Sequence, residues 1–287
     1  MSAPRYLTLV LVSVFGFTLL GYSQTQATCT FTYFNPPSGY TGDFFPMGIN
    51  HYNTAVGGIY TNTLNNGEKG YIRYSGGGVT LYSFPGATFT QFNRRNVNGT
   101  TVGQYNINTG GWSAGLIYTS SSVASLKYPN ANSTVLNGIN KYNTMVGTEI
   151  DAATGAQYGF KYQNGTFTRV RYPNSSQTVV NSINDNGVIV GGYETGGFEG
   201  PWFGFILQNG VFKTVSYMPM DINNAGVWVD SQNIHFTNGV VKQVKVPGSV
   251  QTWAYGINDL GVITGSASFG PNSQGNYTWK GYTAVCH

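Results

Sequence analysis

Short runs of β-branched and aromatic residues, separated by Gly and Asn, extend along most of this chain. Val188-Ile189-Val190 and the run from Trp202 to Leu207 are examples, and each has the length of a strand rather than of a helix. An Asn-Gly pair, such as Asn209-Gly210, stands where two runs must reverse direction. The pattern therefore predicts an all-β protein built from tight hairpins.

One phrase, most often Gly-Ile-Asn, recurs six times. Its Asn residues are separated by intervals of 46, 44, 44, 39 and 35 residues, and they are Asn50, Asn96, Asn140, Asn184, Asn223 and Asn258. The third residue after each Asn is always Gly or Asn, the two types that adopt positive φ at least cost, so we expect a left-handed turn residue there. The seventh residue is Gly in five repeats and Asp230 in repeat five.

The repeat length is typical of a propeller blade. A period of about 44 residues with four short strands, which we label a to d, predicts a six-bladed β-propeller with four-stranded antiparallel blades. The segment 31–37 aligns with strand d and has no a, b or c before it, whereas the last repeat has a, b and c. We therefore expect the N-terminal strand to complete the last blade and close the ring. The tail 282–285 also resembles strand d, so the last blade has four or five strands.

The first 27 residues have the layout of a secretory signal peptide. Arg5 is followed by the apolar run 7–20 and then by a polar segment that ends at Ala27. This run of 14 apolar residues is shorter than the ~20 residues of a spanning helix. We predict that residues 1–27 are a signal peptide and that residues 28–287 form one propeller domain. The mature protein is then secreted, extracellular or periplasmic, with no transmembrane segment.

The two cysteines, Cys29 and Cys286, lie at opposite ends of the predicted mature chain. In an exported protein two cysteines favour a single disulfide, which here would lock the closed ring. A metal-binding or nucleophilic role is the alternative, although no grouping of His with Cys accompanies them. We expect the disulfide and no metal.

The phrase Ile-Asn-x-x-Gly-x-x-x-Gly, followed by x-Gly-Phe, resembles the HAF repeat family of exported bacterial proteins, which is named after a His-Ala-Phe tripeptide. Here the tripeptide reads Tyr158-Gly159-Phe160 and Phe203-Gly204-Phe205. The resemblance covers nearly all of the mature chain. It implies secretion and a propeller-like fold, without an established activity. A function that depends on the absent His would not transfer.

Composition and charge exclude several classes of function. The chain has 14 basic and 10 acidic residues, and its formal charge of +4 is too weak and too dispersed for a nucleic-acid surface. The three histidines, His51, His235 and His287, are scattered and predict neither a catalytic triad nor a metal site. Arg95 stands where five repeats have Ile, so it either lines the central channel or marks a register shift.

The two faces of the predicted propeller differ. The a–b and c–d turns, on what we call the turn face, are uniformly tight, whereas the b–c and d–a connections on the opposite loop face vary in length. Repeat five is short in both of these connections, which predicts a notch over that blade. The residues that flank the notch are the candidates for ligand binding: Glu194, Phe198, Glu199, Trp202, Trp253 and Phe269. Solvated loops are the competing explanation for the acidic residues that fall on this face.

The leading hypothesis is a monomeric binding module for carbohydrate or a cell-surface protein, without a cofactor or a nucleic-acid partner. The alternative is a glycan-active hydrolase or lyase that uses carboxylates of the loop face, with Glu194 and Glu199 as the pair. A purely structural repeat protein is the third possibility. The sequence assigns no catalytic residue.

Overall fold

The computed structural model describes residues 25–40, 44–60, 67–106, 112–197, 200–271, 275 and 277–287. These residues form strands, turns and loops, in five sheets. No helix among them is long and apolar enough to cross a bilayer. Residues 1–24 of the predicted signal peptide lie outside the described residues.

Two short strands open the described chain, β1 (Thr25–Gln26) and β2 (Cys29–Phe34), and both pair with strands near the C-terminus. Repeats one and two form an eight-stranded sheet, which consists of two antiparallel four-stranded units joined by a single parallel pairing of Glu68 with Phe89. Its strands are β3 (Phe44–Ile49), β4 (Ala55–Tyr60), β5 (Glu68–Arg73), β6 (Val79–Tyr82), β7 (Phe89–Arg95), β8 (Thr101–Asn106), β9 (Ala114–Tyr118) and β10 (Val123–Leu126).

Repeats three and four each form a separate antiparallel sheet with the strands in chain order. The strands of repeat three are β11 (Ala131–Ile139), β12 (Met145–Asp151), β13 (Gln157–Gln163) and β14 (Thr166–Val170). Those of repeat four are β15 (Gln177–Ile183), β16 (Ile189–Glu194), β17 (Trp202–Gln208) and β18 (Val211–Val215).

Repeat five has the shortest strands, β19 (Asp221–Ile222), β20 (Trp228–Val229), β21 (Asn233–His235) and β22 (Val241–Gln243). β1 pairs in parallel with β22, which makes this sheet five-stranded. Ala27, where the predicted signal peptide ends, is 5% exposed and packs in the core of repeats five and six. Its amide donates to the carbonyl of Gln243 at 2.9 Å.

The last sheet confirms the predicted closure. It contains β23 (Gln251–Ile257), β24 (Val262–Phe269) and β25 (Thr278–Cys286), with β2 as the outer strand. β2 runs antiparallel to β25, so that Cys29 lies opposite Cys286, and the two form a disulfide. Because β25 is continuous through residues 282–285, that tail belongs to strand c, and this sheet has four strands.

The recurring Asn residues connect the repeats into a closed ring, and the sheets form a β-propeller around it. Each Nδ2 donates to the backbone carbonyl of the Asn in the next repeat at 2.9–3.3 Å, and Asn258 donates back to Asn50. Oδ1 accepts within its own hairpin; that of Asn140, for example, accepts the amides of Tyr142 and Thr144. A carboxamide supplies both the donor and the acceptors, which explains why Asn occurs in every repeat.

The predicted left-handed turn residues are confirmed, since the third position after each Asn has φ between 58° and 86° in all six repeats. The Gly at the seventh position has a different cause. A Cβ at Gly147, for example, would lie 1.9 Å from the carbonyl oxygen of Val135 on the paired strand. Strand β19 is too short to oppose Asp230 in this way, so repeat five tolerates a side chain there.

The basic residue at the centre of the propeller is Arg94. Its guanidinium donates to the carbonyls of Asn93, Met220 and Tyr255 at 2.8–2.9 Å and lies 3.4 Å from the carboxylate of Asp221. Arg95 instead is half-buried and donates to Oγ1 of Thr101 at 2.7 Å. A register shift beside strand a occurs in repeats one, two, three, four and six alike, so it is not a peculiarity of Arg95.

Candidate ligand-binding groove

A groove of about 610 Å³ lies between the sheets of repeats three and four. It reaches the turn face, where the a–b turns and the c–d turn of repeat four contribute to its wall. The side chains that matter for recognition are Tyr142, Lys161, Gln163, Asn186, Asn209 and Phe212.

One wall of the groove carries a residue that departs from the other repeats, Lys161. In four repeats the equivalent position on strand c is Ile, directly opposite Val on strand b, and the pairs are Val56–Ile72, Val102–Ile117, Val190–Ile206 and Val229–Ile234. These Ile side chains pack against the next sheet. Repeat three has Val146 opposite Lys161, and repeat six has Thr264 opposite Thr283.

The Lys161 side chain points toward the sheet of repeat four. Residues directly opposite in an antiparallel pair share a face, and Val146 packs in a cluster with Val180 and Phe205. Burying an ammonium group in such a cluster without a partner is costly. Lys161 is half-buried, and its ammonium group has no hydrogen bond or ion pair with the described residues. This side chain therefore faces the groove with its charge unpaired.

Aromatic rings are available in this groove. Tyr142 lies at the tip of an a–b turn and is 63% exposed, while its amide donates to Oδ1 of Asn140 at 3.1 Å and fixes the backbone. Phe212 is half-buried, with its ring 5.2 Å from that of Phe205. The ammonium group of Lys141 lies 5.0 Å from the centroid of the Tyr142 ring. The groove therefore combines a largely exposed aromatic ring with a second, immobilised one.

Some polar side chains near the groove already have hydrogen-bond or ion-pair partners within the protein, and others have none. Asp185 accepts the amide of Lys141 at 2.8 Å and lies 3.7 Å from its ammonium group, so its charge is compensated. Asn209, with φ of 51°, lies in the c–d turn, and its side chain and that of Gln163 have no partner among the described residues. Together with Lys161 they offer free donors and acceptors to a ligand.

A second depression lies at the centre of the turn face, above Arg94 and the Asn ring, with a volume of about 80 Å³. The carboxylates on its rim are held by internal hydrogen bonds, since Asn224 donates to both Asp185 and Asp259 at 2.8–2.9 Å. Within the described ranges, no group of three or more His, Cys, Asp or Glu residues could hold a metal ion. This small polar well has room for little more than a few water molecules.

The residues that the sequence predicts around the notch are placed as follows. Glu194 is fully buried; Oε1 accepts the amide of Gly200 at 2.7 Å, and Oε2 accepts from Gln177. Trp202 is half-buried and pairs with Glu194 across β16 and β17. Phe198 and Glu199 lie outside the described residues.

Trp253 and Phe269 are half-buried on β23 and β24, and the ammonium of Lys280 lies 5.3 Å from the Phe269 ring. Among the described residues, no hydrogen bond, ion pair or ring contact joins these two aromatics to Glu194 or Trp202. The structure thus pairs Glu194 with Trp202 in the sheet of repeat four and places Trp253 and Phe269 on neighbouring strands of the sheet of repeat six.

Four acids of the loop face are buried, contrary to the expectation of solvated loops; they are Glu68, Glu149, Glu194 and Asp230. Glu149 accepts from Arg169 at 2.6 Å, and burial raises the pKa of Glu149 while the guanidinium opposes that shift. Asp230 lies 2.7 Å from the ring of His235 and also accepts the amide of Asn233. Partners within the fold hold three of these carboxylates, whereas Oε1 of Glu68 has no hydrogen-bond partner among the described residues.

Sequence reasoning missed Tyr142, Lys161 and Phe212. The signal for Lys161 was present, since an alignment of the c strands places one Lys in a column that is otherwise Ile or Thr. Exposure of the Tyr142 ring and the gap beside Phe212 depend on how two sheets pack, which the pattern of one repeat does not show.

Comparisons with known proteins address the fold. No protein-family model and no curated protein matches the chain. A protein of unknown function from Dyadobacter fermentans has a similar structure, with a TM-score of 0.53, 10% identity and coverage of 90% of this chain and 98% of that one. A triple Arg-to-Ala mutant of AofleA from Arthrobotrys oligospora is similar at a TM-score of 0.50 and 11% identity, over 88% and 86% of the chains.

A gluconolactonase from Xanthomonas campestris matches at a TM-score of 0.49 and 10% identity, over 86% of this chain and 88% of that chain. At such identities the similarities concern the fold alone. The similarities to the Dyadobacter fermentans protein and to AofleA extend over most of each chain, in agreement with the propeller arrangement of the sheets.

Proposed function

We propose that this protein is an exported six-bladed β-propeller that binds carbohydrate in the groove between repeats three and four. The observation that carries the proposal is the open groove beside the exposed ring of Tyr142, with Lys161 in its wall where four other repeats have Ile. Sugars present both apolar C–H faces and hydroxyl groups. A groove with an aromatic ring and a few free polar groups matches that chemistry.

Six blades agree with the hydrogen-bond ring. Six Asn residues close one cycle, and the eight-stranded sheet divides into two antiparallel units that share a single pairing. Counting those units separately gives six blades. The HAF resemblance of the sequence is compatible with this count and stays a prediction.

Export is supported by the leader pattern and by the Cys29–Cys286 disulfide, since such bonds persist in oxidising compartments. The intact mass of the secreted chain tests this part of the proposal, because a cleaved leader shortens the chain.

The groove favours binding over glycoside hydrolysis. Hydrolysis usually requires two carboxyl groups about 5–10 Å apart across the bond to be cleaved. Of the residues that line the groove, Asp185 is the acid, and it is already engaged by Lys141 and Asn224. Glu194 of the hydrolase alternative has both oxygens occupied. Binding without turnover is therefore the function that the geometry supports best.

A glycan array tests the proposal. Purified protein is screened against neutral and acidic glycans, and the affinity for each hit is measured by calorimetry for the wild type and for Tyr142→Ala. We expect about five- to thirtyfold weaker binding in the variant, because a central aromatic contact is worth about 1–2 kcal/mol.

The matched control is Tyr52→Ala. Tyr52 occupies the same place in repeat one, is 62% exposed, and donates its amide to Asn50 as Tyr142 does to Asn140, but it lies outside the groove. Equal loss in both variants, or an array without hits, would refute the groove as the site. A third variant, Trp202→Ala, tests the notch on the loop face, which we keep as a second candidate surface. If this variant alone loses affinity for the glycan, the binding site is the notch.

A further inference from the structure

The charge of the groove narrows the class of its ligand, if the groove is the carbohydrate site proposed above. Besides Lys161, two arginines contribute to the lining. Arg169 is paired with Glu149 at 2.6 Å and lies 3.7 Å from Asp151. Arg171 donates to the carbonyl of Ser175, with its guanidinium 5.0 Å from the Tyr158 ring. The cation left without an internal partner is Lys161.

The acidic residue that lines the groove, Asp185, already has partners within the protein. Asp185 is held by Lys141 and Asn224, and these contacts direct its carboxylate toward the centre of the turn face. A neutral ligand would fill the groove and leave the ammonium of Lys161 unpaired. A ligand with an acid group would pair with it, and a charge-assisted hydrogen bond in a partly desolvated site is stronger than a neutral one.

The presence of Lys161 at a position where the other repeats have Ile or Thr also favours an acidic ligand. A neutral polar residue, Thr283, occupies this position in repeat six without introducing a charge. Repeat three instead carries a long cationic side chain on the wall that faces the groove. We infer that the groove selects glycans that carry a carboxylate or a sulfate group, with Lys161 pairing with that group and Tyr142 contacting the sugar ring.

The experiment compares ligands that differ in the acid group alone. Calorimetry measures binding of trigalacturonate against galactotriose, and of sulfated against unsulfated dextran oligosaccharides, at 50 and 500 mM NaCl. We expect the acidic member of at least one pair to bind at least tenfold more tightly at low salt. That advantage should shrink in part at high salt, because the groove opens to solvent and salt screens the charges there. The pair that shows it separates carboxylate from sulfate recognition.

Three variants test whether Lys161 causes the preference for the acidic ligand. Lys161→Gln keeps a polar chain without the charge and should bring the acidic and neutral members within about twofold of each other. Lys161→Ile introduces the residue of four other repeats; it should pack beside Val146, remove the preference for the acidic member and raise Tm by a few degrees. Lys213→Gln is the control, because Lys213 is an exposed lysine on the outer strand of the neighbouring sheet and lies outside the groove; it should bind as the wild type does.

The outcomes separate this inference from the proposed function. Array hits that depend on Tyr142 but bind equally with and without an acid group, or an acid preference that survives Lys161→Gln, would overturn the charge selection and leave carbohydrate binding in place. An array without any hit would remove both proposals together.

Discussion

Glu68 is a carboxyl group that the fold holds in apolar surroundings. It is 4% exposed, and Oε1 has no hydrogen-bond partner among the described residues. A Cβ at Gly58 would come within 1.6 Å of this oxygen, so the Gly leaves room for the carboxyl group. Burial raises the pKa of Glu68 to about 8, and a hydrogen bond with Tyr60 opposes the shift. The folded protein therefore retains a proton at neutral pH that the unfolded chain releases.

Replacing Glu68 by Gln should remove a pH dependence of stability. Because the pKa is higher in the folded state than in the unfolded one, its contribution is present below about pH 4.5 and is lost as the pH rises through about 8. Urea unfolding at pH 5, 7 and 9 should give similar free energies of unfolding for both proteins at pH 5. At pH 9 Glu68→Gln should be more stable by a few kcal/mol at most, since each pKa unit is worth about 1.4 kcal/mol. Parallel pH profiles would contradict this account.

At the scale of the structural element, the a–b hairpin depends on its Asn. In repeat three, Asn140→Ala removes the acceptor for the amides of Tyr142 and Thr144 and the donor to the carbonyl of Asn184. We expect a loss of about 2–4 kcal/mol in the free energy of unfolding, because buried amides left without partners cost about 1–3 kcal/mol each. Urea denaturation of the purified variant measures it.

Asn143→Gly in the same hairpin is the matched control. Asn143 has φ of 58°, which Gly adopts without strain, and its side chain accepts a single hydrogen bond, from Asn96. Asn96 retains its bond to the carbonyl of Asn140. This variant should lose less than about 1 kcal/mol. If the two variants were equally stable, the Asn ring would have no special role.

Much of each element was predictable because local chemistry determines it. Positive φ at the third position after each Asn, and the pairing of Cys29 with Cys286, follow from residue type and chain order. The sequence shows that Gly recurs at the seventh position after the Asn, but it does not show why. The reason is the close approach of a carbonyl oxygen on the neighbouring strand. The role of Arg94 required the register of strand a, and the sequence drew attention to Arg95 instead.

At the scale of the whole molecule, the candidate site was harder to predict than the fold. The repeat defines each sheet, but the groove is a property of the space between two sheets, where Lys161 interrupts a column of Ile. The sequence placed acids in solvated loops, whereas the structure buries Glu194 with Gln177 and Gly200. Burial of a carboxylate depends on donors from other segments, which spacing along the chain does not reveal.

The N-terminal segment joins two sheets before the ring closes. Thr25–Gln26 pairs with Lys242–Gln243 of repeat five, and β2 then pairs with β25 of repeat six. Ala27 lies buried between these pairings, and the amide of His287 donates to the carbonyl of Thr28 at 3.0 Å. Signal peptide removal after Ala27 would delete β1 and leave the site of Ala27 empty.

The exported chain should therefore begin upstream of Thr25. The small residues Gly21 and Ser23 occupy the positions that signal peptidase favours for a cut before Gln24. Intact mass spectrometry of the secreted protein distinguishes that start from one at Thr28. A chain expressed to begin at Thr28 should unfold at a Tm several degrees lower than one that begins at Gln24, because it lacks two strand residues and a buried Ala. A secreted chain that begins at Thr28 with an unchanged Tm would show that β1 contributes nothing to the closed ring, and a secreted chain that keeps Arg5 would refute export through a cleaved leader.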